Sequence, residues 1–213
     1  MHSRETSFRR LRLRRIKAVL AGGLVFGIGS AATMAAWTDT ESATGSFTAG
    51  RFAIELSVDK SWSNSREMTF NAGGMFPGKV VHAPVFVRTS ADTTMKGRIS
   101  VAGGGVSGTP NALAQSLSYK AVTKSFATAA EAMAAACDDS AFTSGADYVF
   151  GSASSSRPLQ TGATGSTQQS LQAAAGSVQL YCFRVELASS APNSAQGQSA
   201  THTWTFTAES TAS

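Results

Sequence analysis

The side chains that could do chemistry are few and widely spaced. The 213-residue chain carries three histidines and two cysteines. His82 and His202 belong to no HExxH pair and to no close cluster of His, Cys and Asp, so no ligand set for a zinc ion forms in sequence. His202 falls on the apolar phase of its segment and reads as a packed, partly buried imidazole rather than a ligand; His82 lies on the phase opposite Val81 and Val85 and reads as a sheet-face residue. Asp138 and Asp139 form a lone acidic pair after an alanine run, the pattern of a solvated turn rather than of a cation loop. Gly103-Gly104-Gly105 lacks the Lys and Ser/Thr that hold phosphate and metal, and the many serines include no Gly-x-Ser-x-Gly elbow. The expectation is a chain without catalytic, cofactor-binding or metal residues, a structural or binding protein rather than an enzyme.

Charge is distributed as in an exported precursor. Arg4, Arg9, Arg10, Arg12, Arg14, Arg15 and Lys17 precede an uncharged stretch from Ala18 to Trp37, leaving 11 of the 18 basic and 12 of the 13 acidic side chains to the rest. The body is therefore near neutral, and a nucleic-acid partner, which needs a basic face on the folded domain, is not expected. A basic start, an apolar middle and small residues at its end make residues 1–35 a secretory signal peptide. Cleavage after Ala35 places Thr33 and Ala35 in the two small-residue positions, and cleavage after Ala36 is the neighbouring option. The alternative is an uncleaved anchor, with about 20 uncharged residues just spanning a bilayer. On either reading the chain meets a membrane only through this segment. Export also places Cys137 and Cys182 in an oxidising compartment, where one disulfide between them is expected.

Residues 36–213 must fold as the domain, and their patterning is that of strands. Phe52, Ile54, Leu56 and Val58 alternate with polar or small residues, as do Val81, Ala83, Val85 and Val87, then Ile99 and Val101. Tyr181, Phe183, Val185 and Leu187 form one phase of a late strand with Cys182 on the other. His202, Trp204, Phe206 and Ala208 alternate with Thr201, Thr203, Thr205 and Thr207, two sets that no helix can put on opposite faces. Turn signals stand at Asn71–Gly74, Pro77-Gly78, Gly103–Gly108 and Pro192-Asn193. Phe126–Ala136 reads as one short Ala-rich helix that caps or crosses the sheets. Gly151–Ser177, rich in Ser, Gly and Gln, reads as a flexible loop with a short strand near Leu171. Pro84 cannot donate to a ladder, so its strand is expected at an edge or with a bulge. The sum is an all-β, antiparallel β-sandwich in a single domain.

The run from Ala35, AAWTDTESATGSFTAGRFAIELSVD, resembles the export junction of the TasA and camelysin-like proteins. The resemblance rests on Ala36, Trp37, Asp39, Phe47, Ala49 and Gly50 ahead of the strand Phe52–Val58, and on the Met75-Phe76-Pro77-Gly78 turn. The C-terminal segment from Tyr181 is similar to the closing hairpin of the actinobacterial alternate-signal exported branch; Val101–Ser177 lies outside the likeness. It implies removal of the leader by a SipW-type signal peptidase, a jelly-roll sandwich, and a secreted subunit of extracellular-matrix fibres whose freed N-terminal segment, here with Trp37, Asp39 and Phe47, completes the sheet of the next copy. Self-association, or contact with other matrix proteins, follows from that kinship. Two alternatives stand beside it: from the kinship alone, a metal-dependent protease of camelysin type, for which the residues offer no ligands; and, independent of it, a monomeric membrane-anchored adhesin or ligand-binding sandwich. N-terminal sequencing of the secreted protein is expected to begin at Ala36 or Trp37; a membrane-bound species that retains Arg4–Lys17 would establish the anchor instead.

Overall fold

Side chains of a strand alternate between its faces, so a chain of alternating apolar and small polar residues buries one side of each sheet against another. The computed structural model describes residues 50–62 and 75–211. The leader, the cleavage positions Ala35 and Ala36, the segment with Trp37, Asp39 and Phe47, and the turn expected at Asn71–Gly74 lie outside the described residues. The strands are β1 (Ile54–Ser57), β2 (Val80–Thr89), β3 (Gly97–Val106), β4 (Leu117–Phe126), β5 (Asp147–Phe150), β6 (Arg157–Pro158), β7 (Ala163–Thr164), β8 (Gln169–Leu171), β9 (Val178–Leu187) and β10 (His202–Ser210). Two short helices, α1 (Ala112–Ser116) and α2 (Ala129–Ala134), accompany them.

Two antiparallel sheets face each other. The larger has the order β1-β2-β9-β4-β5, with β6 also paired to β4. The smaller has β10 beside β3, and β7 and β8 share the far side of β3. The chain passes from β2 to β3, back to β4 and β5, across to β7 and β8, back to β9 and finally to β10. This is the crossing pattern of a jelly roll. The larger layer holds six strands and the smaller four, and among the described residues no strand pairs with the side of β10 away from β3. The core lies between the layers, with Val85, Val87, Tyr119, Tyr181 and Phe183 from the larger sheet meeting Ile99 and Val101 from the smaller.

Strand β9 is buried on both faces. Its Tyr181 phase enters the sandwich, while Val178 and Leu180 join Phe86 and Ala132 in a second cluster on the outer face of the larger sheet. Helix α2 covers that cluster. Thr128 accepts from the Glu131 N–H and Glu131 accepts from the Thr128 N–H, a reciprocal cap that starts the helix. Cys182 lies on this outer phase and forms a disulfide with Cys137, their Cα atoms 5.4 Å apart.

Four expectations are corrected or refined. The glycine run is not a turn: Gly103, Gly104 and Gly105 belong to β3, and the bend begins at Ser107. The stretch 151–177 carries three short strands, β6, β7 and β8, and buries Leu159 and Leu171. The helix expected over Phe126–Ala136 is confined to Ala129–Ala134, because Phe126 pairs with Val178 at the end of β4, and α2 caps the sheet rather than crossing it. Strand β1 pairs with β2 over Phe86–Thr89, so β2 is flanked on both sides at Phe86 and Val87, while Pro84 lies in the half that β1 does not reach, opposite Cys182. The missing N–H therefore falls where the described sheet has an edge.

Replacing both cysteines (Cys137→Ser with Cys182→Ser) opens a link spanning 45 residues. By the chain-entropy relation this lowers stability by about 4 kcal/mol, measurable as a lower urea midpoint; an unchanged midpoint would show that the link constrains nothing in the unfolded chain.

Candidate functional site

The strand with the most unusual environment is β10. Thr203, Thr205 and Thr207 face solvent, and His202, Trp204, Phe206 and Ala208 face the core, as β-branched and aromatic alternation requires. The inward rings pack edge-on and tilted against the opposite sheet: Trp204 stands 4.9 Å from Phe183 and 5.4 Å from Tyr119, and Phe206 stands 5.1 Å from Tyr181, centroid to centroid. Yet all four inward residues stay only partly buried, whereas Ile99 and Val101 on the neighbouring β3 are fully buried. Among the described residues β10 pairs on one side only, with β3. Among the described residues no strand covers the core along that flank of β10.

Gly103 of β3 makes room for two of these rings. A Cβ at Gly103 would lie 2.7 Å from the Tyr119 hydroxyl and 2.8 Å from His202 Nε2, closer than side-chain carbons approach. Gly105 has a φ of +79°, at the bulge where the register shifts between His202 and Trp204. His202 Nδ1 lies 2.8 Å from the Leu159 carbonyl oxygen, its ring 4.3 Å from Trp204 and 5.2 Å from Tyr119. Burial holds the His202 pKa below the ordinary histidine value and raises that of Tyr119.

A second group of polar side chains occupies the outer face of the larger sheet. Arg184 donates from Nε to Asp139 Oδ1 at 3.0 Å and from Nη1 to Glu186 at 2.7 Å, and His82 Nε2 stands 3.2 Å from the same Asp139 oxygen. The Arg184 hydrogen bond leads in holding the Asp139 carboxyl below its ordinary range. Asp138 caps a short 3-10 turn, and the Ser140 hydroxyl leads in lowering its pKa. Asp139 and Arg184 are separated by the same 45 positions as Cys137 and Cys182, so the disulfide lays the acidic segment alongside β9. Beside it, a groove of about 730 Å³ runs between the end of α2 and β4, lined by Phe126, Ala135, Ala141, Ala146 and Leu180 among others. These ion pairs fasten a loop to a sheet; they place no nucleophile beside a base.

The structure therefore joins Cys137 to Cys182, packs His202 partly inside and sets His82 on the sheet face. It also draws Asp139 into an ion pair that sequence reading assigned to a solvated turn. No local signal in the sequence announces that pairing. The glycine run opposite the His-Trp pair was the legible sign of close backbone approach. Among the described residues no group of three or more His, Cys, Asp and Glu lies close enough to hold a metal ion, and no helix is long and apolar enough to cross a membrane. No protein-family model matches the chain, and no curated protein matches it.

Gly103→Val is expected to lower stability by about 1–3 kcal/mol through overpacking against Tyr119 and His202. Gly104→Ala, whose Cβ would meet nothing nearer than the Thr203 carbonyl at 3.5 Å, serves as the tolerated control. Equal thermal unfolding of the two variants would contradict this account of the glycines.

Proposed function

We propose that the protein is an exported, non-enzymatic subunit of the cell surface or extracellular matrix that joins copies of itself by strand addition. The observation that carries the reading is the flank of β10, an edge strand with one partner among the described residues and an inward row of His202, Trp204 and Phe206 that is only partly covered. A free edge offers a row of backbone donors and acceptors, and a strand laid against it gains both a hydrogen-bonded ladder and apolar cover. The segment that supplies this strand is the one behind the leader, from Ala36, of a neighbouring copy. Its Thr, Ser, Asp and Gly provide backbone pairing, and Trp37 and Phe47 provide the two aromatic contacts. The resemblance of this segment to the export junction of TasA and camelysin-like proteins supports the same reading, including release by a SipW-type signal peptidase.

The mature protein, purified without its leader, is expected to form oligomers or fibres visible by electron microscopy and as a ladder in size-exclusion chromatography. Trp37→Ala is expected to shift that ladder toward monomer by about tenfold in the concentration required, the effect of losing roughly 1.4 kcal/mol of contact. A wild-type protein that remains strictly monomeric at high concentration would refute assembly.

A further inference from the structure

The residues 157–161 form a strap from the larger sheet to the smaller one. On the larger sheet Arg157 and Pro158 pair with Tyr119 and Ser118, and the Leu159 N–H donates to the Leu117 carbonyl at 2.9 Å. On the smaller sheet the Val106 N–H reaches the Gln160 carbonyl at a long 3.5 Å, and His202 Nδ1 meets the Leu159 carbonyl at 2.8 Å. The shorter of these two contacts on the β10 side belongs to the imidazole. A carbonyl can only accept, so Nδ1 carries the proton and the neutral ring leaves Nε2 bare. Nε2 is buried and has no hydrogen-bond partner among the described residues.

We propose that His202 is a proton-operated latch: the neutral ring ties the first residue of β10 to the strap through Leu159, and protonation of Nε2 releases that corner of the smaller sheet. The added N–H would sit at a buried atom without a partner, and the ring would carry a full charge with only the neutral Tyr119 hydroxyl on the same side of Gly103. Among the described residues the titratable and charged groups around it offer no opposite charge. Strand β4 presents Tyr119, whose hydroxyl burial keeps protonated, and β6 presents Arg157, a positive charge felt at Tyr119. Strand β3 presents Gly103 and Val106, and β10 itself presents Trp204. Among the described residues no carboxylate acts on the ring; burial dominates its environment, and the Leu159 carbonyl opposes it.

The sign follows from linkage. The closed form binds the proton less readily than the opened form, whose histidine titrates near 6.5. The latch is therefore fully shut above that value, and opening gains up to about tenfold for each pH unit below it until the closed form also titrates. Asp92, Asp138 and Asp139 are held below 3.8, chiefly by Ser90, Ser140 and Arg184 respectively, so their losses fall in a lower window. If β10 is the edge that receives a neighbouring copy, a clause that rests on the function proposed above, acid also weakens assembly by unfastening the start of that strand.

The test is a histidine titration by NMR of the mature protein, with amide protection factors at Leu159, Gln160, Val106 and Thr203 followed from about pH 7.5 to about pH 5. The expected result is a His202 titration below the ordinary value and protection at these amides falling by up to about tenfold per pH unit, while amides of β9 hold. His202→Asn, which keeps a donor near the Nδ1 position but does not titrate there, should hold its protection flat. A His202 titration at or above the ordinary value, flat protection in the wild type, or the same fall in His202→Asn overturns the latch; the wild-type measurement decides alone if the variant does not fold. Sizing over the same pH range separates the two proposals. Oligomers lost in acid by the wild type but kept by His202→Asn support both, whereas monomer at every pH with the NMR result intact retains the latch and removes the assembly reading.

Discussion

The structure depends on one strand that must be buried on both faces while hydrogen-bonded on both sides. β9 pairs with β2 through Val80–Val87 and with β4 along its whole length, so its backbone is satisfied in the middle of the larger sheet. Tyr181 and Phe183 fill the sandwich, while Val178 and Leu180 would face water without α2 above them. The short Ala-rich helix and the disulfide are consequences of that second face. One covers it, and the other fastens the segment after the helix to Cys182 in the same strand. Ion pairing of Asp139 with Arg184, one strand repeat further on, continues the same attachment in polar form.

The two layers are finished to different degrees. The larger sheet has its outer face overlaid and its central strand enclosed. The smaller sheet has only β3 fully flanked, by β10 on one side and by the short β7 and β8 on the other. The segment bearing those short strands is held to the sandwich by Leu159 and Leu171 in the core and by polar contacts. The Thr89 hydroxyl donates to the Gln172 carbonyl at 2.7 Å and accepts from the Ala175 N–H at 3.0 Å, and the Tyr181 hydroxyl donates to Gln169 at 2.8 Å. A stretch of Ser, Gly and Gln thus becomes part of the fold through a few buried anchors and backbone hydrogen bonds rather than through a continuous apolar pattern. On the other flank the aromatic row of β10 meets the rings of β4 and β9 but retains exposure, and this difference between the flanks directs the functional reading to β10.

Room for those rings is made by absence. Gly103 leaves the volume that Tyr119 and His202 occupy, and Gly105 takes the left-handed backbone that sets the bulge beside His202. A partly buried histidine with one satisfied nitrogen and one buried nitrogen that has no partner among the described residues is the cost of this arrangement, and it puts a titratable contact at the junction between β10 and the strap over Leu159. Packing geometry and proton chemistry are therefore coupled at the start of the edge strand.

The sequence by itself determined the strands that alternate cleanly, the split of β9 into two phases with Cys182 on the outer one, the inward side of β10 and the disulfide in an otherwise cysteine-free body. Those features follow from side-chain periodicity and from redox chemistry, which are local or compositional. Only the tertiary structure decided that Gly103–Gly105 continue a strand, that 151–177 contributes three short ones, that Asp139 finds Arg184, and that among the described residues β10 stands at an edge with its rings partly covered. Each of these depends on which segments meet across the sandwich. A glycine run, a Ser-rich stretch or an acidic pair has no periodicity of its own, and long-range contact supplies the energy that selects among its conformations.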